Sequence, residues 1–278
     1  MKKESAHAPL PVPGFVHLER RGSARARCCR PRIWTRRHVA ASSTAPRGRS
    51  AATVTSAATA GAVLVAGALL AIAGASVPAL SRERVWMLPL DDYLRVIADH
   101  TRAWRLHAWL FLGGAVLTAI GLFLLAGPGF SAAAAGGRTG ATDPAWLLAG
   151  AVAYAFAAVA WSASLAFRIG PVVSAALAHR AAGQVPNGYE TLADWSTALY
   201  EIYMVVGYLA TAGVALGVAV TGLAPAWLGW ACVAFGIVGA TSFGFSVPRV
   251  AGMRSPLELP VLVHAVPLAI GLSLLAGG

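Results

Sequence analysis

"ADWSTALYEIYMVVGYLATAGVALGVAVTGLAPAWLGWACVAFGIVG", residues 193–239, holds two long apolar runs separated by the turn residues Gly222, Leu223, Ala224 and Pro225. Neither run alternates polar with apolar residues, and each is about 20 residues long. That is the length of a helix crossing roughly 30 Å of hydrocarbon, and about twice that of a barrel strand. The four-residue connection leaves the two runs only one arrangement, an antiparallel helical hairpin inside a membrane.

Working outward, four further windows have the same character. The complete set is Ala57–Val77, Trp104–Ala126, Trp146–Ile169, Trp195–Val220, Trp227–Val247 and Leu257–Ala276. Four of the six begin on tryptophan, as indoles at a membrane–water interface would. Hydrophobic residues make up 57% of the chain and charged ones 12%, against about 45–50% and 25% in soluble domains. The expectation is an all-α polytopic membrane protein, a bundle of six transmembrane helices over residues 51–278. Its surroundings are the lipid bilayer, and the arginine bias with abundant Ala and Gly points to a GC-rich genome and a bacterial plasma membrane.

Residues 1–50 are different: twelve Lys or Arg stand against Glu4 and Glu19. This basic, disordered tail reads as a cleaved signal, a twin-arginine signal at "TRRHV", an organellar transit segment, or an arm for anionic lipid or nucleic acid. Charge placement bears on the choice. Loops 1, 3 and 5 share one side and carry nine arginines, whereas loops 2 and 4 carry only Arg138. The positive-inside rule therefore puts loops 1, 3 and 5 in the cytoplasm, and the tail, on the other side, opposes it. The conflict vanishes if the mature chain begins near residue 51, which is the expectation. No nucleic-acid partner is expected for the membrane domain.

Several chemistries are excluded by absence. Lys2 and Lys3 are the only lysines, so a phosphate-binding Walker lysine, a Schiff-base lysine and a Ser-x-x-Lys acylation site have no ammonium in the apolar body. Cys28, Cys29 and Cys232 form no zinc or disulfide spacing. Metal is expected nowhere, and no enzyme constellation is visible.

"LPLDDYLRVIADHTRAW" in loop 1 reads as an amphipathic surface helix. Leu90, Leu94, Ile97 and Trp104 share a stripe to lay on the membrane, with Asp91 paired to Arg95, Asp99 to Arg102, and Asp91 or Asp92 as cap. Small residues at close-packing intervals, Gly213 with Gly217 and Gly229 with Gly236, mark helix–helix contacts. These serve the bundle itself or a homo-oligomer.

The run 193–239, with its Tyr- and Gly-bearing span, short turn and Pro-x-Trp-Leu-Gly-Trp start to the next span, resembles small six-span bacterial membrane proteins of actinobacterial type. "PVLVHAVPLAIG" at residues 260–271 is similar to their closing span. That family has no assigned activity, so the resemblance implies the six-span fold and carries over no catalytic residue.

Ionisable groups inside spans are costly in lipid and tend to face a partner or a cavity. The candidates for a polar cavity are Glu201, His264, Arg168, His107 and Tyr208, all but Tyr208 falling near the loop 1, 3 and 5 end. Asp194, Glu201 and Tyr208 are seven apart, hence nearly on one helix face, and a Glu201–Arg168 ion pair is geometrically open. Pro260 and Pro267 flank His264 and loosen the backbone there. Three functions follow as alternatives: small-solute or proton-coupled transport through Glu201 and His264; a non-catalytic scaffold or partner subunit; or a haem or metal protein using His107 and His264.

Overall fold

The apolar runs fold as helices because lipid offers backbone groups no partner, so each segment must satisfy its own. The computed structural model describes residues 51–82, 85, 88–127, 145–244, 257 and 259–277. The tail and its charge conflict lie outside the described residues, as do the sequences 128–144 and 245–256 around loops 2 and 5. Among the described residues there are helices and no strands.

Five helices are long and apolar enough to cross a membrane. They are α1 (Ala51–Ala75), α4 (Thr101–Ala126), α5 (Ala145–Ile169), α7 (Tyr189–Thr221) and α8 (Ala226–Gly244). The chain is all-α and polytopic, as expected, but the sixth apolar run does not form a long helix of the same kind. Pro260–His264 is a 3₁₀ turn, and α9 follows as Ala265–Ala276. Proline explains the break. Pro267 has no N–H to give the carbonyl of Val263, so it is accommodated only in the first turn of a helix that starts at Ala265.

Around the bundle α1 packs on α4, α4 on α5, α5 on α7 and α7 on α8. The 3₁₀ turn and α9 lie against α1, α7 and α8. Glycines set the spacing. A Cβ on Gly217 would stand 2.6 Å from Leu147 Cγ, and one on Gly229 2.6 Å from Ala219 Cβ. Gly236 meets the Tyr208 carbonyl in the same way. These small-residue faces are therefore filled by contacts within the chain, where close backbone approach takes the place of a hydrophobic drive. Gly222, with φ 69°, ends α7 and starts the turn read from the sequence.

One end carries a layer of short helices, α3 (Leu90–Asp99), read from the sequence, with α2 (Pro78–Arg82) and α6 (Pro171–Ala182), which the sequence left as loops. The loop 1 helix forms, but its stripe does not lie on lipid. Leu94 and Ile97 are fully buried in a cluster with Trp104, Val172 and Ala176, because α6 packs on α3. Trp104 is correspondingly a core residue and no interfacial anchor, whereas Trp146, Trp195 and Trp227 are exposed. The ion pairs differ too. Arg95 meets Asp92 at 3.1 Å, while Asp91 faces His179 at 3.8 Å and Asp99 binds Arg180, both on α6. Pro89 holds the cap position of α3, which leaves Asp91 and Asp92 in its first turn, where the helix dipole favours acids.

Candidate functional site

Trp104 builds the outer part of the site. Its indole N–H donates to the Arg168 carbonyl at 2.7 Å, pinning the start of α4 to the end of α5. The Arg168 guanidinium then lies over the rings of Trp161, at 5.2 Å, and Tyr200, at 5.9 Å. One turn along α4, His107 stacks on Trp104 and meets Phe111 edge-on. His107 Nδ1–H donates to the Gly74 carbonyl at 2.8 Å, which ties α1 to the same corner. Ser164 and Ser196 close α5 on α7 through hydroxyls 2.9 Å apart.

Together these ends frame a half-open cavity of about 790 Å³. Its lining includes His107, Phe111, Arg168, Ser196, Tyr200 and Pro260. It also takes in Tyr93 of α3, so the surface layer forms one wall. Burial pushes the Tyr93 phenol above its ordinary range, with the nearby Arg168 charge opposing, so it is a neutral donor at any physiological pH.

Below that cavity lies a second, closed polar cluster. His264, Thr118, Tyr154 and Tyr203 are all buried. His264 Nδ1 is 3.1 Å from the Thr118 hydroxyl, and its Nε2 is 3.4 Å from the Tyr203 hydroxyl. The Tyr203 hydroxyl is also 3.5 Å from the Pro260 carbonyl, and Pro260 lines the cavity. With the proton on Nε2 the groups form one chain: Thr118 O–H donates to Nδ1, Nε2–H to Tyr203, and Tyr203 O–H to Pro260. The chain so formed runs from the cavity to the middle of α4. Tyr203 stacks on Trp161 at 4.9 Å, and Trp161 in turn lies under the Arg168 guanidinium, which links the cluster to the outer site. The Tyr154 ring stands edge-on to His264 at 6.4 Å, and its hydroxyl is buried without a well-formed hydrogen bond among the described residues.

The five residues singled out from sequence thus separate. His107 and Arg168 share the outer cavity, and His264 lies in the cluster beneath. Glu201 does not join them: it is exposed and absent from the described lining. The shared inward cavity expected for Glu201 and His264 is therefore corrected. Glu201 is two residues from Tyr203, hence about 200° around α7 from the face that meets His264. Tyr208 does fall on the stripe of Glu201, but α8 covers that stripe at the level of Tyr208, whose hydroxyl donates to the Leu257 carbonyl at 2.8 Å. It staples α7 to the approach of the last helix.

Both ring nitrogens of His264 face protein hydroxyls, so it does not fit an axial ligand to haem without breaking one of those contacts. No group of three His, Cys, Asp or Glu suited to a metal occurs among the described residues. Sequence reasoning placed Trp161 on one face of its span with Tyr154 and Arg168 but missed Thr118, Tyr200 and Tyr203. One signal was available: Trp161 on α5 and Tyr200 and Tyr203 on α7 are polar-tipped aromatics inside apolar spans, and their rings pack together.

No protein-family model, curated protein or solved structure matches the chain.

Proposed function

We propose that this chain is a multi-pass protein of a bacterial plasma membrane that binds a small solute from one side and moves it, with the His264 cluster as the proton-responsive floor. The cavity carries this reading. Its volume, about 790 Å³, falls in the range of roughly 300–1,000 Å³ typical of small-molecule sites. Its lining residue Pro260 also meets the hydrogen-bonded cluster, where protonation of the His264 imidazole would reorder the donors. A cavity lined at one end of the bundle, with glycine-spaced packing such as Gly61 against Gly271 elsewhere, suits one state of an alternating-access carrier. Pro260–Ala276 serves here as the sixth crossing element, in line with the resemblance to six-span proteins, and loops 1, 3 and 5 are placed in the cytoplasm.

The scaffold alternative drew on the loop 1 stripe and the small-residue faces, and both are packed within the chain. The haem alternative needs a His264 nitrogen that a hydroxyl already holds. Transport therefore has the stronger support.

The test is gradient-driven release from liposomes loaded with a mixture of small organic acids, amines and sugars. Reconstituted protein should release one chemical class faster than protein-free liposomes, and faster still under an imposed proton gradient. Ala193→Trp, which places an indole in the cavity lining, should abolish the difference. Equal release from wild type, Ala193→Trp and empty liposomes would refute the reading.

A further inference from the structure

Two phenol hydroxyls in the cavity lining indicate what a solute must offer there, and this inference rests on reading the cavity as a solute site. Other hydroxyls of the lining are already engaged. Ser81 donates to the Pro78 carbonyl at 3.3 Å, Thr197 to the Ala193 carbonyl at 2.9 Å, and Ser196 is held against Ser164. Tyr93 and Tyr189 differ, because among the described residues neither of their hydroxyls makes a hydrogen bond. Tyr189, at the start of α7, is only 6% exposed, and Tyr93 of α3 is half-buried. Both line the cavity, and they lie close enough for the Tyr189 phenol to act electrostatically on Tyr93. The rest of the wall includes the apolar side chains of Phe111, Phe167, Val172 and Leu259. The Phe167 ring packs on that of Tyr189 at 5.9 Å, which sets an aromatic surface beside the hydroxyl.

A buried polar group is satisfied by protein, water or ligand, so a phenol that lines a cavity takes its partner from whatever fills the cavity. A phenol donates better than it accepts, since its ring draws on the oxygen lone pairs. The matching partner is an acceptor with two lone pairs and no proton of its own, as a carbonyl oxygen has. A pure hydrocarbon would leave both phenols unpartnered, and a polyol would bring more hydroxyls than the apolar wall can pair. From this arrangement we infer a site for a flat apolar solute that carries a carbonyl oxygen, the oxygen between Tyr93 and Tyr189 and the body along Phe167.

A carbonyl acceptor is offered by a free solute and by the ester of a lipid, and the experiment separates them. The full chain is placed in nanodiscs of ether-linked phosphatidylcholine, which has no ester carbonyl. It is titrated calorimetrically with 2-acetylnaphthalene and with 2-isopropenylnaphthalene, which has the same shape but CH2 in place of the oxygen, each against empty discs. Two neutral hydrogen bonds should make the ketone bind about 5-fold or more tightly than the alkene. Tyr93→Phe and Tyr189→Phe should each weaken ketone binding about 2–10-fold, and together should bring the two probes to within about twofold of each other. Alkene binding should not change, which also reports that the variants are folded. The carbonyl stretch of the bound ketone, labelled with carbon-13, should lie below its value in lipid and move back up in the double variant. In ester-linked discs, unaltered ketone affinity assigns a free solute, and competitive weakening assigns a lipid ester as the same class of ligand. Equal binding of ketone and alkene, or a ketone preference that survives the double variant, overturns the carbonyl assignment and leaves the solute site standing. Binding of neither probe overturns both.

Discussion

Replacing Thr118 by valine keeps most of the side-chain shape at a fully buried position and removes the one hydroxyl that faces His264 Nδ1. In a water-soluble protein, stranding one partner of a buried hydrogen bond costs about 1–3 kcal/mol. Interhelical hydrogen bonds in membrane bundles are weaker, averaging about 0.6 and reaching about 1.7 kcal/mol, because the separated helices also find partners. The membrane value applies here, and geometry sorts the two bonds. At 3.1 Å the Thr118 contact is within normal range, whereas the 3.4 Å Tyr203 contact is long for a hydroxyl donor or acceptor. A double-mutant cycle of Thr118→Val with His264→Phe should therefore give a coupling of about 1–1.7 kcal/mol, and one of Tyr203→Phe with His264→Phe about 0.5 kcal/mol or less. The assay is reversible unfolding in mixed micelles, followed by tryptophan fluorescence. Additive Thr118 and His264 effects, or a Tyr203 coupling larger than that of Thr118, would refute the hydrogen-bonded chain.

In the surface layer, Ile97→Ala should destabilise by about 2–5 kcal/mol, since Ile97 is buried between α3 and α6. The Asp99–Arg180 pair, about half exposed, should couple by less than about 1 kcal/mol and fade with added salt; thermal unfolding in two salt concentrations measures both. Gly217→Ala should cost about 1–3 kcal/mol by pressing a methyl on Leu147, with partial recovery in the double variant with Leu147→Ala. Asn187→Cys and Ala226→Cys, in a background without other cysteines, flank the 33-residue α7, about 50 Å long. An impermeant thiol reagent applied to whole cells should label Ala226→Cys and spare Asn187→Cys; the reverse pattern would invert the orientation.

The five long helices were legible in the sequence to within a few residues because a continuous apolar run in lipid permits little else. Pro260–His264 was less so, since a proline pair announces a break without stating whether the chain turns or continues. The surface layer failed for a physical reason. The amphipathic pattern of α3 says that one face must be covered but does not name the cover. The cover is α6, which starts on Pro171 and ends at Gly183, φ 66°. Once α6 is in place, Asp91 and Asp99 find partners across the layer and not along their own helix.

The candidate site was legible only in part. Cost in lipid drew attention to His107, Arg168 and His264 along with Glu201, but it is blind to which way a helix is rotated. Glu201 points away from the cluster because Tyr203, two residues on, points in. Neutral hydroxyls such as Thr118 carry no comparable cost, so nothing in the one-dimensional pattern raised them above the many serines and threonines of the bundle.

The central claim, a cavity that admits small solutes, is tested most directly by the thiol reactivity of Ser196→Cys. Ser196 is only 6% exposed yet lines the cavity, and Cys232 of α8, also 6% exposed, does not. With Cys28 and Cys29 replaced, the small anionic reagent methanethiosulfonate ethylsulfonate should modify Ser196→Cys from the Asn187 side much faster than Cys232, and Ala193→Trp should block it. Equal, slow reaction at residues 196 and 232, or no effect of Ala193→Trp, would mean that the cavity does not open to solutes.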